Sequence, residues 1–235
     1  MKNNLVICIG RQFGSCGKKV GELVADKLGV PCYDKEIIYE MAKKSGVSKE
    51  LLDDYDERPT NSFLYSLSLG SYSSHGNIIS STESLPLTDK IFIIQSDTIK
   101  SLATTSCVFV GRCAESILNN RDNVFSVFIH ADFEKRVERI SKLHNISKEQ
   151  ASALIRKTDK KRASYHNYYS DSRWGESSAY DLCINSNCDA EYAANLIVSA
   201  VNLKWFSSTR SFYYEYSVVM WGAIICEKNE KFLRY

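Results

Sequence analysis

Residues 10–18 read Gly10-Arg11-Gln12-Phe13-Gly14-Ser15-Cys16-Gly17-Lys18. A loop with this much glycine can turn several backbone N–H groups toward one point. A helix that starts there adds the positive end of its dipole, so the chemistry on offer is anion binding. Lys18 at the helix start can reach the outer phosphates of a nucleotide. The full phosphate-loop pattern is G-x-x-x-x-G-K-[ST]. Gln12 stands in place of its first glycine, and Lys19 in place of the hydroxyl that holds Mg²⁺. An ordinary glycine-rich turn is the alternative reading.

Two further sets of cations fit the same chemistry. Gly111-Arg112 ends the apolar run Cys107 to Val110. An arginine beyond the carboxyl end of a strand can clamp a phosphate with two parallel hydrogen bonds, or form a surface ion pair. Arg156-Lys157-Thr158-Asp159-Lys160-Lys161-Arg162 carries five cations around one acid. On a helix this is either a solvated face or a lid over transferring phosphates. Tyr165, His166, Tyr168, Tyr169 and Trp174 follow, and would pack that lid onto the body or form an ordinary core edge. His75, His130, His144 and His166 show no metal-ligand spacing.

These residues need elements to place them. Leu5 to Ile9 is a short apolar run, and Val20, Leu23, Val24 and Leu28 keep one helical face before Gly29 and Pro31. The order is strand, glycine loop, helix. Strands are also expected near Val30 to Tyr33, Cys107 to Val110, Val124 to Ile129 and Tyr180 to Asn185. Helices are expected after Asp34, over Lys90 to Leu102, after Asp132, from about 148 to 165 behind the capping box Ser147–Gln150, and after Asp189 with Ala193, Leu196, Ile197, Ala200 and Val201 on one side. Alternating strands and helices predict an α/β three-layer fold with a mainly parallel sheet. Residues 46–90, acidic and then serine-rich, read as an insert over the site.

Composition limits the partners. The chain has 235 residues, 44% hydrophobic and 25% charged, with net charge +2. That suits a packed core and excludes a protein that coats nucleic acid by bulk charge. No stretch approaches the length of a membrane-spanning helix, and the first apolar run is too short for a signal peptide. None of the eight cysteines forms a C-x-x-C pair. Cysteines in the runs Leu5–Ile9, Cys107–Val110 and Leu182–Ile184 read as small buried hydrophobes. A reduced, cytoplasmic protein with small-molecule partners is expected, without nucleic acid or membrane. Residues 205–235 hold nine of the 27 aromatic residues. This extension either folds back on its own domain or packs against a second copy as a homodimer.

The chain resembles the cytidylate kinase-like family of P-loop nucleoside monophosphate kinases. The resemblance rests on Gly10 to Ser15, Cys32-Tyr33-Asp34-Lys35-Glu36, Asp56-Glu57-Arg58, Asn61 to Leu67, Val110-Gly111-Arg112-Cys113-Ala114, Phe128-Ile129-His130-Ala131, Asp159 to Ala163 and Tyr180 to Asn185. It implies a P-loop core over residues 1–204, with an acceptor-binding insert and a helical lid at about 140–175. It implies ATP as phosphoryl donor, Mg²⁺, and a nucleoside monophosphate acceptor of the CMP or dCMP type. Gly14, Ser15, Cys16, Gly17, Lys18 and Lys19 would hold the donor phosphates, with Ser15 the candidate metal ligand. Arg136 and Arg139 match a helix of lid-proximal arginines. Asn185 and Ser186 fall where such kinases meet adenine. Asp34, Arg112 and Asp159 would face the acceptor, and Lys18, Arg112, Asp159 and Arg162 would act in catalysis. The family's acid after Gly-Arg is Cys113 here. A nucleotide-binding module with little or no turnover, and a kinase for another small acceptor, remain the alternatives.

Overall fold

The computed structural model describes residues 4–34 and 86–206. Contacts divide the chain into two compact units, Met1–Ala194 and Asn195–Tyr235. The first holds the whole sheet. Of the second, residues 195–206 are described, and they are helical. Nearly all of the expected insert and the extension beyond residue 206 lie outside the described residues.

Among the described residues five strands form one sheet: β1 (Val6–Arg11), β2 (Cys32–Tyr33), β3 (Cys107–Val110), β4 (Val124–His130) and β5 (Leu182–Asn185), in the order β2-β3-β1-β4-β5. Every pairing is parallel. The central strand β1 is apolar on both faces, as a strand covered by helices on both sides must be. Val6 and Cys8 join Phe109, Ile99, Ala114 and Leu118 in one core cluster. The opposite face meets α1 (Gly17–Leu28), where Gly21 lies against Val110 and Ile9. A Cβ on Gly21 would stand 2.5 Å from Val110.

The remaining helices among the described residues are α2 (Leu87–Leu102), the short α3 (Ala114–Ile117), α4 (Phe133–His144), α5 (Lys148–Tyr169) and α6 (Ala190–Phe206). α4 and α5 form a hairpin with its own small core of Val137, Ile140, Ala151 and Ile155. Phe13 of the glycine loop packs into that core. Ser147 and Gln150 make the expected reciprocal capping box at the start of α5. Asp189 accepts the Tyr192 N–H at 2.6 Å at the start of α6.

Several boundaries differ from the sequence reading. α2 begins at Leu87, three residues before the expected start. β2 is confined to Cys32–Tyr33, and β5 starts at Leu182 because Ser177–Ala179 form a 3₁₀ turn that ends at Tyr180. α5 continues to Tyr169, since its tyrosines pack against α2: Phe92 stacks on Tyr169 at 3.9 Å, and the Tyr169 hydroxyl donates to Asp89 at 2.7 Å. Asp132 caps α4 through its backbone carbonyl only, accepting the Arg136 N–H at 3.0 Å. α3 was not expected. On α6, Ala193 is buried and Leu196 is exposed.

Cys8 and Cys107 are buried as expected, but Cys183 is exposed. Among the described residues strand β5 is an edge, so only its inward positions enter the core, and Ile184 takes the one beside Cys183. Burial pushes the Cys107 thiol up to about 12, and the Cys32 thiol up to about 11 with Asp34 adding to the rise. At pH 8 roughly one Cys32 thiol in a thousand is then ionised. In native protein at that pH, iodoacetamide will label Cys188 and Cys183 and spare Cys8 and Cys107, as read by peptide mass spectrometry. Equal labelling of all four would contradict the burial pattern. Among the described residues no helix is long and apolar enough to cross a membrane.

Candidate functional site

The site is built where β1 and β3 end. Ile9 pairs with Val110, so the Gly10-Arg11 dipeptide that ends β1 lies beside the Gly111-Arg112 dipeptide that leaves β3. The first continues into the glycine loop and α1. The second turns sharply: Gly111, Arg112 and Cys113 have φ of 82°, 66° and 54°. Two non-glycine residues in succession in the left-handed region store strain of about 1–2 kcal/mol each. The turn keeps Arg112 buried, at 3% exposure.

The glycine loop is fixed from outside. Asp159 on α5 accepts the Phe13 N–H at 2.7 Å and pairs with Arg136 at 2.5 Å. Arg136 also donates to the carbonyls of Phe13 (3.2 Å) and Ala131 (3.1 Å). Arg139 donates to Ser186 O at 2.6 Å and to Gly14 O at 3.4 Å. Ser186, also buried, donates to Ser15 O at 2.6 Å. Gln12 Oε1 accepts the Ala131 N–H at 3.2 Å, which ties the loop to the end of β4. Gly14 has φ +79° and lies against α4, where a Cβ would meet Ile140 at 3.0 Å and Arg136 at 3.2 Å. Loop carbonyls thus point to arginines.

At the start of α1, Cys16 is the N-cap with φ 62°, makes no side-chain capping bond, and is followed by a first turn without an acid. That end of the helix suits an anion. Lys18 Nζ lies 2.5 Å from Asp34 Oδ2 at the end of β2. Lys19 faces solvent, with Glu22 at 3.8 Å. A phosphate group therefore suits this end of the loop. Ser15, the residue singled out for magnesium, is fully buried, and its hydroxyl donates inward to Gln12 O at 2.9 Å. Among the described residues no group of three or more His, Cys, Asp or Glu is placed to hold a metal ion.

Beside the loop lies a cleft lined by Arg11, Arg112, Glu115, Arg162, His166 and Trp174. Arg162 Nη1 donates to Arg11 O at 3.2 Å, and its guanidinium lies 5.6 Å from the Phe13 ring. The Arg11 guanidinium lies against Gly111, so close that a Cβ there would stand 2.0 Å from its Nη1. Three arginines thus line one cleft at the ends of two parallel strands.

Of the residues singled out in the sequence, Lys18 and Asp34 meet, Arg136 and Asp159 meet, and Arg112 and Arg162 share the cleft. Asn185 is separate from them. It is exposed, its amide 3.5 Å from Asp132 and its carbonyl oxygen accepting the Asn187 N–H at 3.0 Å. Arg156 lies 4.5 Å over the Phe133 ring, on the outer side of the hairpin. Arg11 and Glu115 were missed. The repeated Gly-Arg dipeptide after two apolar runs was the signal that could have found Arg11.

The parallel sheet, glycine loop and arginine cleft define a P-loop kinase fold. Residues 6–188 match the cytidylate kinase-like family, and the chain belongs to it. No curated protein matches. Among solved structures, the chain is similar to an uncharacterized protein from Eubacterium ventriosum ATCC 27560, at 29% identity and TM-score 0.64 over 84% of this chain and 98% of that one. It also shares its fold with shikimate kinase from Bacteroides thetaiotaomicron, at 13% identity and TM-score 0.51 over 85% of this chain and 99% of that one.

Proposed function

We propose that the protein transfers a phosphoryl group from ATP to a nucleoside monophosphate of the CMP type. The observation that carries this reading is the buried Arg112, held by a strained left-handed turn in one cleft with Arg11 and Arg162, next to a loop suited to phosphates. Two anionic groups brought together need neutralising and alignment more than covalent help. The loop N–H groups and Lys18 would hold the donor phosphates. Lys18 would exchange its Asp34 partner for a phosphate oxygen. Arg112, Arg11 and Arg162 would hold the acceptor phosphate in line, and the α4–α5 hairpin would cover both as a lid. Asp159 would act by fixing the loop. Asp34, freed by Lys18, would face the acceptor.

The test is a calorimetric titration with ATP. Lys18→Ala should keep the fold and bind ATP about tenfold or more weakly, since a charge-assisted hydrogen bond contributes roughly 1.5–3 kcal/mol. Unchanged affinity removes the phosphate-loop assignment. ADP release with CMP then tests turnover. One observation favours a second reading, a nucleotide-binding module without turnover: Lys19 replaces the loop hydroxyl while Ser15 points inward. Bound ATP without ADP release across a panel of monophosphates would establish it.

A further inference from the structure

Glu115 and His166 line the arginine cleft and take no part in the phosphate contacts above. Glu115 is the second residue of α3, and His166 lies in the last turn of α5. Their side chains are 9% and 4% exposed, and His166 Nε2 lies 3.0 Å from Glu115 Oε1. Neither ring nitrogen has an aligned hydrogen-bond partner among the described residues. Buried polar groups in native proteins are nearly always bonded, so Nδ1, the nitrogen away from Glu115, is the atom in want of a partner. A carboxylate repels a phosphate, so the pair and the three arginines serve different parts of one ligand. Trp174, edge-on to Phe128 at 5.4 Å, adds an aromatic wall.

We infer that Glu115 and His166 recognise a neutral hydrogen-bond donor of the acceptor, an amino or hydroxyl group. His166 Nδ1 accepts that bond, and Glu115 fixes the ring from behind through Nε2. The inference rests on the acceptor reading above and names what the acceptor carries besides its phosphate. The ligand class is a phosphomonoester with such a donor on its sugar or base.

Two variants separate the ring nitrogens. His166→Asn keeps a polar atom near the Nδ1 position, and His166→Gln keeps one near Nε2. Both are titrated calorimetrically with CMP, UMP and dCMP, with ATP as control and melting curves to establish folding. His166→Gln should bind CMP about tenfold more weakly, while His166→Asn stays within about threefold and ATP affinity is unchanged in both. Loss of the CMP-over-UMP preference in His166→Gln assigns the donor to the base amino group; loss of the CMP-over-dCMP preference assigns it to the ribose. Equal behaviour of the two variants, in either direction, overturns the inference. If a His166 variant does not fold, Glu115→Gln replaces it, and unchanged CMP affinity there overturns the inference too. Wild-type protein that binds ATP but none of the three monophosphates instead overturns the acceptor reading itself.

Discussion

Alanine at Asp159 will lower the melting temperature by about 6–12 °C. Its carboxylate bonds Arg136 and the Phe13 N–H, and the pair is mostly buried, with side chains 8% and 16% exposed. Removing one partner of a buried ion pair costs about 3–5 kcal/mol, because the other charge stays behind without compensation. Partial exposure puts this pair at the lower end, about 3 kcal/mol, and a chain of this size loses about 2–4 °C per kcal/mol. Asp159→Asn retains an acceptor for the Phe13 N–H and should lose about half as much. Arg136→Met combined with Asp159→Asn should be more stable than the sum of the single changes, since neither charge is then stranded. A melting temperature for Asp159→Ala within about 2 °C of wild type would show that the latch between α5 and the loop carries no stability.

Legibility followed the range of the interactions. β1, the loop and α1 could be read because their signals are local: an apolar run, clustered glycine, then a helical period. The capping box at Ser147 is equally local, and it is present. Cys183 was misjudged because its surroundings in sequence are apolar, while its exposure depends on β5 being an edge strand. Edge position is a property of strand order, which no short window contains. The contacts of Arg136 and Asp159 with the glycine loop were not legible for the same reason. Both read as phosphate-handling charges, and both are engaged with the loop backbone, 123 and 146 residues away along the chain. The position of Arg112 just beyond the end of β3 was legible because it directly follows an apolar run. The Glu115–His166 pair was not, since it joins two helices from opposite halves of the chain.

Arg112→Gly should be more stable than Arg112→Ala, and both should be about equally poor enzymes. Both substitutions remove a guanidinium able to make two charge-assisted bonds to the acceptor phosphate. The loss in kcat/KM for CMP should therefore be roughly 100-fold or more, with ATP affinity within about twofold of wild type. The two differ only in the backbone. At φ 66° an alanine keeps the left-handed strain that glycine does not feel, a difference of about 1 kcal/mol, or roughly 2–4 °C in melting temperature. Arg112→Lys tests geometry rather than charge: an ammonium cannot reproduce the planar fork and should recover little of the lost kcat/KM. If Arg112→Ala impairs ATP binding and spares the acceptor, the arginine serves the donor side. If Arg112→Gly keeps full activity, the strained turn holds its side chain in place for packing alone. A stable, inactive glycine variant would show that the strain at residue 112 is retained for the arginine it positions.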